Sequence, residues 1–113
     1  MKRATHQGYN LFNPAHPGEL IRETIEALRE ETGKELTVKE IAEGLTTTRK
    51  TLSAIINGKQ SITPEMAIKL ATSFKNTTPE FWLRAQDNYD LAQAWRKLDT
   101  IRIKVFWRPA AAL

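Results

Sequence analysis

The run Thr37-Val38-Lys39-Glu40-Ile41-Ala42-Glu43-Gly44-Leu45-Thr46-Thr47-Thr48-Arg49-Lys50-Thr51-Leu52-Ser53-Ala54-Ile55-Ile56-Asn57-Gly58-Lys59 decides how the rest of the chain is read. Thr37 followed three residues later by Glu40 is a capping box, in which each side chain bonds the other's backbone amide. A short helix is therefore expected from about Val38 to Glu43, with Val38, Ile41 and Ala42 facing inward. Leu45 plugs the turn that follows. Thr48 caps a second helix that runs to Asn57, where Asn57-Gly58 stops it. At about 100° per residue, Leu52, Ile55 and Ile56 gather on one side of this second helix. Lys50, Ser53, Ala54 and Asn57 lie nearly opposite, with Arg49 flanking them, and no acid stands on that outer side.

Two short helices locked at a steep angle by small and apolar residues form a helix-turn-helix unit. Its first helix braces on a nucleic-acid backbone and its second enters the major groove. The outer side of the second helix offers groups that match base edges: Arg or Lys for guanine acceptors, Ser or Asn for several bases, an alanine methyl for that of thymine. The candidate DNA-contacting residues are Thr37, Lys39, Thr47, Thr48, Arg49, Lys50, Ser53, Asn57 and Lys59. Those at the edges of the motif set affinity through phosphates, and those on the second helix set sequence choice. A hairpin serving only as core would leave the acid-free outer side and the closing Asn57-Gly58-Lys59 without a purpose.

Towards the N-terminus, Asn13-Pro14 and His16-Pro17-Gly18 punctuate the chain before a helix from about Pro17 to Thr32, ended by Gly33. Leu20, Ile21, Thr24, Ile25 and Leu28 share one side of it, and Glu19, Glu23, Glu26 and Glu30 stack on another. Residues 1–16 form an arm around Tyr9, Leu11 and Phe12. Towards the C-terminus, Thr63-Pro64-Glu65 and Thr78-Pro79-Glu80 both carry the preferred helix start of cap, proline and acid. The first helix should bury Met66, Ile68, Leu70, Ala71 and Phe74. The second, about Pro79 to Leu98, sets Trp82, Ala85, Tyr89, Ala92 and Trp95/Arg96 along one side, either as core or as an interface with a second copy or another protein. From Thr100 the period becomes two: Ile101, Ile103, Val105 and Trp107 alternate with Arg102, Lys104, Phe106 and Arg108, a strand signature. A lone strand leaves its hydrogen-bonding edge open. Either it pairs with the same strand of a second chain, or it is a tail ordered only in complexes. The expected architecture is all-α: an arm (1–16), a five-helix helix-turn-helix domain (17–98), and a tail with a short C-terminal β-strand (99–113).

The chain has 113 residues, a formal net charge of +4 and no cysteine. Disulfides, thiolate metal sites and cysteine nucleophiles are excluded, which fits a reducing cytoplasm. Neither a secretory signal nor a membrane span is expected. Residues 1–35 hold five Lys/Arg against six Glu, residues 36–60 four against two, and residues 61–113 eight against five acids. Acid is thus concentrated early and base later, as two different surfaces would require. His6 and His16 are the only histidines, and neither has a nucleophile or ligand cluster beside it. No catalytic residue, cofactor or metal is expected, and the chain reads as a binding protein rather than an enzyme.

The segment Ile41–Lys59 resembles the helix-turn-helix of phage-repressor-like, or XRE-type, regulators, although that family usually has glycine where Thr46 stands. The flanks narrow the resemblance: His16-Pro17-Gly18-Glu19-Leu20, then Ser61-Ile62-Thr63-Pro64-Glu65-Met66-Ala67-Ile68-Lys69-Leu70, then Pro79-Glu80-Phe81-Trp82-Leu83 with Gln86 and Tyr89-Asp90-Leu91. Over residues 14–98 the chain looks like a HigA/VapI-type antitoxin. The resemblance implies a homodimer that represses its own operon at a palindromic operator of double-stranded DNA. It also implies binding and silencing of a HigB-type toxin, an mRNA endonuclease. The Glu19, Glu23, Glu26 and Glu30 stripe suits a basic toxin, or is simply a solvated helix face. Trp82, Tyr89, Trp95, Ile101, Ile103 and Val105 are the dimerisation candidates. A stand-alone repressor without a toxin and an inhibitor that has lost DNA binding are the rival readings.

Overall fold

The computed structural model describes residues 13–110. Among them are five α-helices: α1 (Pro17–Thr32), α2 (Val38–Gly44), α3 (Arg49–Ile56), α4 (Pro64–Ser73) and α5 (Pro79–Lys97). Each begins where the local chemistry predicts. Thr37, Thr48, Thr63 and Thr78 each accept the amide three residues ahead through the side-chain oxygen, satisfying one of the orphan donors of a helix start. Thr37 and Glu40 close the full capping box: the Thr37 amide donates to Glu40 Oε1 at 2.8 Å. Gly33 ends α1 in the left-handed region, φ 68°.

The first helix starts differently. His16 is its N-cap, and the Gly18 amide donates to His16 Nδ1 at 2.9 Å. Gly18 lies against the C-terminal end of α3, where an added β-carbon would collide with the Ile55 carbonyl oxygen and come within 2.7 Å of that of Ile56. Only glycine permits this approach of α1 to α3.

One core joins all five helices. Ile21 and Ile25 of α1, Ala42 of α2, Leu52 and Ile55 of α3, Ala67 and Leu70 of α4 and Trp82 of α5 are buried together, with Leu45 filling the α2–α3 turn. Trp82 is the largest fully buried side chain, and its indole N–H donates to Thr77 Oγ1 at 2.9 Å, so its polar edge is satisfied. Such a residue contributes about 3–5 kcal/mol, judged by truncation to alanine. Gln86 is buried beside this core; its side-chain carbonyl accepts the Ile62 amide at 2.8 Å and its amide donates to Asp90 Oδ1 at 3.0 Å.

Two expectations are corrected. No strand occurs among the described residues: Thr100–Arg102 is a single 3-10 turn, nucleated by Asp99 accepting the Ile101 amide, and residues 103–109 carry no regular structure. Alternation is only one condition for a strand; a paired edge is the other. Ile68 is 57% exposed rather than buried. Met66, Ala67 and Leu70 define the inward side of α4, and position 68 falls well round the helix from their centre. Along α5, Trp82 and Ala92 of the expected stripe are buried, joined by Gln86, whereas Trp95 is 67% exposed and is not part of the core. The apolar cluster Tyr9, Leu11 and Phe12 and the histidine His6 lie outside the described residues.

Candidate nucleic-acid interface

The candidate recognition element is built by two helix ends of the same design. In both, the residue after the C-cap is left-handed and its amide, with the next, returns to the last turn. After α3 this residue is Gly58, φ 75°, with Gly58 N donating to Ile55 O at 3.0 Å and Lys59 N to Ala54 O at 2.8 Å. After α2 it is Thr46, φ 57°, with Thr46 N donating to Glu43 O at 3.0 Å and Thr47 N to Ala42 O at 2.9 Å. Thr46 is the one described non-glycine residue at positive φ, a conformation that costs a β-branched residue about 1–2 kcal/mol. Gly44 closes α2 with open space around it and takes no part in the reversal. The pattern of XRE-type regulators places glycine at position 46, and the backbone there is the one a glycine would adopt.

This turn aims α3 outward. Leu52 and Ile55 are buried, whereas Thr48, Arg49 and Lys50 at its start are exposed. Neither Arg49 nor Lys50 forms an ion pair with any described residue. Thr48 is committed locally, accepting the Thr51 amide and donating to Thr51 Oγ1 at 3.0 Å. Thr47 and Ser53 are half-buried, and Lys39 and Lys59 are exposed. Two candidates sit differently from the expectation. The Thr37 amide is occupied by Glu40, so Thr37 has no free backbone donor for a phosphate. Asn57 is exposed, but its side-chain carbonyl accepts Arg22 Nη2 of α1 at 3.1 Å. Ser53 and Asn57 line a groove of about 300 Å³ with Arg22, Glu26 and Arg29 of α1. The outer side of α3 thus divides into a free cationic start and a second half that leans towards α1.

Sequence reasoning missed three supporting residues. Gln86 ties α5 to the loop after α3 through the Ile62 amide. Arg29 of α1 donates through Nε to Leu36 O at 2.8 Å and fixes the approach to Thr37. Lys69 of α4 donates to Thr46 O at 3.0 Å. All three bonds join positions whose proximity depends on tertiary packing, so no local pattern announces them.

The other candidates are scattered. Glu19, Glu23, Glu26 and Glu30 are exposed along α1, with Glu26 at the groove shared with Ser53. Trp82 is enclosed in the chain's own core, not at a surface open to a second chain. Tyr89 is half-buried, its ring edge-on to His16 at 4.9 Å. Burial holds the His16 imidazole below the ordinary histidine range, opposed by the carboxylates of Asp90 and Glu19. With Nδ1 accepting from Gly18, His16 is a neutral structural cap. Glu40 is also held low, by the hydrogen bonds from the Thr37 amide and hydroxyl. Trp95, Leu98, Ile101, Ile103, Val105, Phe106 and Trp107 are exposed apolar residues in succession. Among the described residues no group of acids and histidines could hold a metal ion, and no helix is long and apolar enough to cross a membrane.

The family described as Helix-turn-helix matches residues 25–82, from the middle of α1 into the first turn of α5. The chain is 40% identical over 99 residues to virulence-associated protein A' of Dichelobacter nodosus, covering 88% of this chain and 80% of that protein. It is similar to the solved structure of an addiction module antidote protein of the HigA family from Coxiella burnetii, with 34% identity, a TM-score of 0.73, and coverage of 84% of this chain and 99% of that one. It is similar also to the Pseudomonas aeruginosa antitoxin HigA solved with the higBA promoter, with 28% identity, a TM-score of 0.66, and coverage of 87% and 99%.

Proposed function

The chain belongs to the XRE-type helix-turn-helix family, with HigA-family antitoxins as its structural neighbours, and from that premise we propose that it is the antitoxin of a toxin–antitoxin module. As a dimer it binds double-stranded operator DNA and represses its own operon, and it silences a HigB-type toxin by direct binding. The observation that carries the DNA half is the free cationic start of α3: Arg49 and Lys50 are exposed, unpaired with any described residue, and set on a helix that contains no acid. Arg49 and Lys50 read base edges; Thr47, Thr48 and Ser53 support them. Lys39 and Lys59 face phosphates, Thr37 serves as the cap of α2, its hydroxyl and amide both taken by Glu40, and Asn57 serves through its side-chain amide with its carbonyl held by Arg22.

Dimerisation is supported by the run of exposed large apolar side chains Trp95, Ile101, Ile103, Val105 and Trp107, which a second chain could cover. Tyr89 and the fully enclosed Trp82 shape the inner side of the same helix. A two-fold dimer sets its α3 helices about 34 Å apart, one turn of DNA, or a multiple of that. The toxin half is supported by the Glu19, Glu23, Glu26 and Glu30 stripe, whose charge complements a protein that binds RNA.

The test is co-expression with the protein encoded by the neighbouring reading frame, followed by pull-down and by footprinting on the DNA upstream of both genes. A two-fold footprint together with co-purification and rescue of growth is the expected result. A footprint without rescue makes the chain a stand-alone repressor, and rescue without a footprint makes it an inhibitor alone.

A further inference from the structure

The paired helix ends described above differ in one respect. After α3 the left-handed position is filled by Gly58, which adopts it freely; after α2 it is filled by Thr46, which does not. The backbone of the Thr46 turn is held by a side chain from another helix. Lys69, midway along α4, donates from Nζ to Thr46 O at 3.0 Å and stands 3.5 Å from Glu65 Oε2. The Lys69 side chain is only 25% exposed, whereas its partner Glu65 is 81% exposed. The two bonds therefore differ in weight: Glu65 is a solvated surface neighbour worth little, and the carbonyl is the fixed end.

We propose that Lys69 is a positioning residue for DNA recognition. By holding the Thr46 carbonyl from α4, it fixes the reversal between α2 and α3 and hence the angle at which Arg49 and Lys50 are presented. The proposal rests on the operator-binding reading above. It assigns Lys69 a role distinct from that of the other basic residues near the motif, because its ammonium is turned to a backbone carbonyl rather than left free for a phosphate. Lysine suits this role, since a flexible stem brings a compact charge with three donors to a carbonyl that would otherwise rely on water.

The experiment uses the full chain and a duplex carrying the promoter upstream of its own reading frame. Four variants are compared: Lys69→Met, Lys69→Arg, Thr46→Gly and Thr46→Gly with Lys69→Met. Affinity is measured across a salt series and unfolding in urea. Lys69→Met is expected to weaken binding by about tenfold per protomer at a temperature where the variant is fully folded, with the salt slope unchanged. Lys69→Arg retains a donor and keeps affinity near that of the parent. Thr46→Gly restores most of the loss, since glycine holds the left-handed turn without help. A slope reduced by about one marks a direct phosphate contact and overturns the proposal, as does unchanged affinity in Lys69→Met or failure of Thr46→Gly to rescue. If the parent chain shows no operator binding, the functional reading fails instead. The coupling between the two substitutions in urea then decides the matter: coupled effects uphold Lys69 as the brace of the turn, and additive ones refute it.

Discussion

The side-chain carbonyl of Gln86 accepts the backbone amide of Ile62 at 2.8 Å, joining α5 to the loop that follows α3. Both partners are buried, and the bond spans 24 positions of sequence. It makes α5 part of the frame that sets α3, rather than an appendage to the helix-turn-helix.

Replacing Gln86 by Leu keeps the volume but orphans the Ile62 amide in a buried position. The expected loss is about 1–3 kcal/mol of unfolding free energy, read as a lower urea midpoint with unchanged slope. Gln86→Glu retains the acceptor for Ile62 and loses the donor to Asp90, bringing two carboxylates together. Its deficit shrinks as the pH is lowered and the pair takes up a proton.

Gly18→Ala is expected to be among the most damaging single-methyl changes in the chain. The new β-carbon meets the Ile55 and Ile56 carbonyls, which are backbone and cannot rotate aside. Either α1 shifts away from α3 or the fold loses about 1–3 kcal/mol or more. Gly44→Ala, in open space inside α2, is the matched control and is expected to stabilise slightly, by about 0.5–1 kcal/mol. Thermal unfolding of the pair checks both signs.

His16 makes stability depend on pH. Its folded pKa lies below the unfolded value of 6.5 because burial disfavours the imidazolium. The neutral cap's contribution is therefore complete above about pH 6.5 and is lost as the pH falls through the folded pKa. Asp90 and Glu19, which favour the cation, limit the size of the loss. Urea midpoints measured from pH 7.5 to 5 are expected to fall more steeply for the parent than for His16→Asn, which can cap α1 without titrating.

Most helix boundaries are legible in the sequence because caps are local chemistry. Thr37 with Glu40, Thr63-Pro64 and Thr78-Pro79 each announce a start within four residues, and Gly33 a stop. The outward side of α3 is legible for the same reason, since Leu52 and Ile55 leave Arg49 and Lys50 no other direction. What escapes depends on distant partners. The alternation after Thr100 has the pattern of a strand, but a strand exists only with an edge to pair. Ile68 belongs to a helix whose inward side is chosen by its neighbours in space. Asn57 reads as free in the sequence, yet Arg22, 35 positions away, takes its carbonyl. The left-handed turn at Thr46 is hidden because a threonine stands where glycine would have declared it.

The central claim is that the start of α3 reads DNA. Its most direct measurement is the affinity of the Arg49→Ala, Lys50→Ala double variant for the duplex upstream of its own reading frame, beside an unrelated duplex. Both side chains are exposed and unpaired with described residues, so the fold is expected to keep its urea midpoint. The predicted result is loss of the preference for the promoter duplex, with affinity falling at least about a hundredfold towards that for unrelated DNA. A variant that kept both its fold and its preference for the promoter would contradict the account.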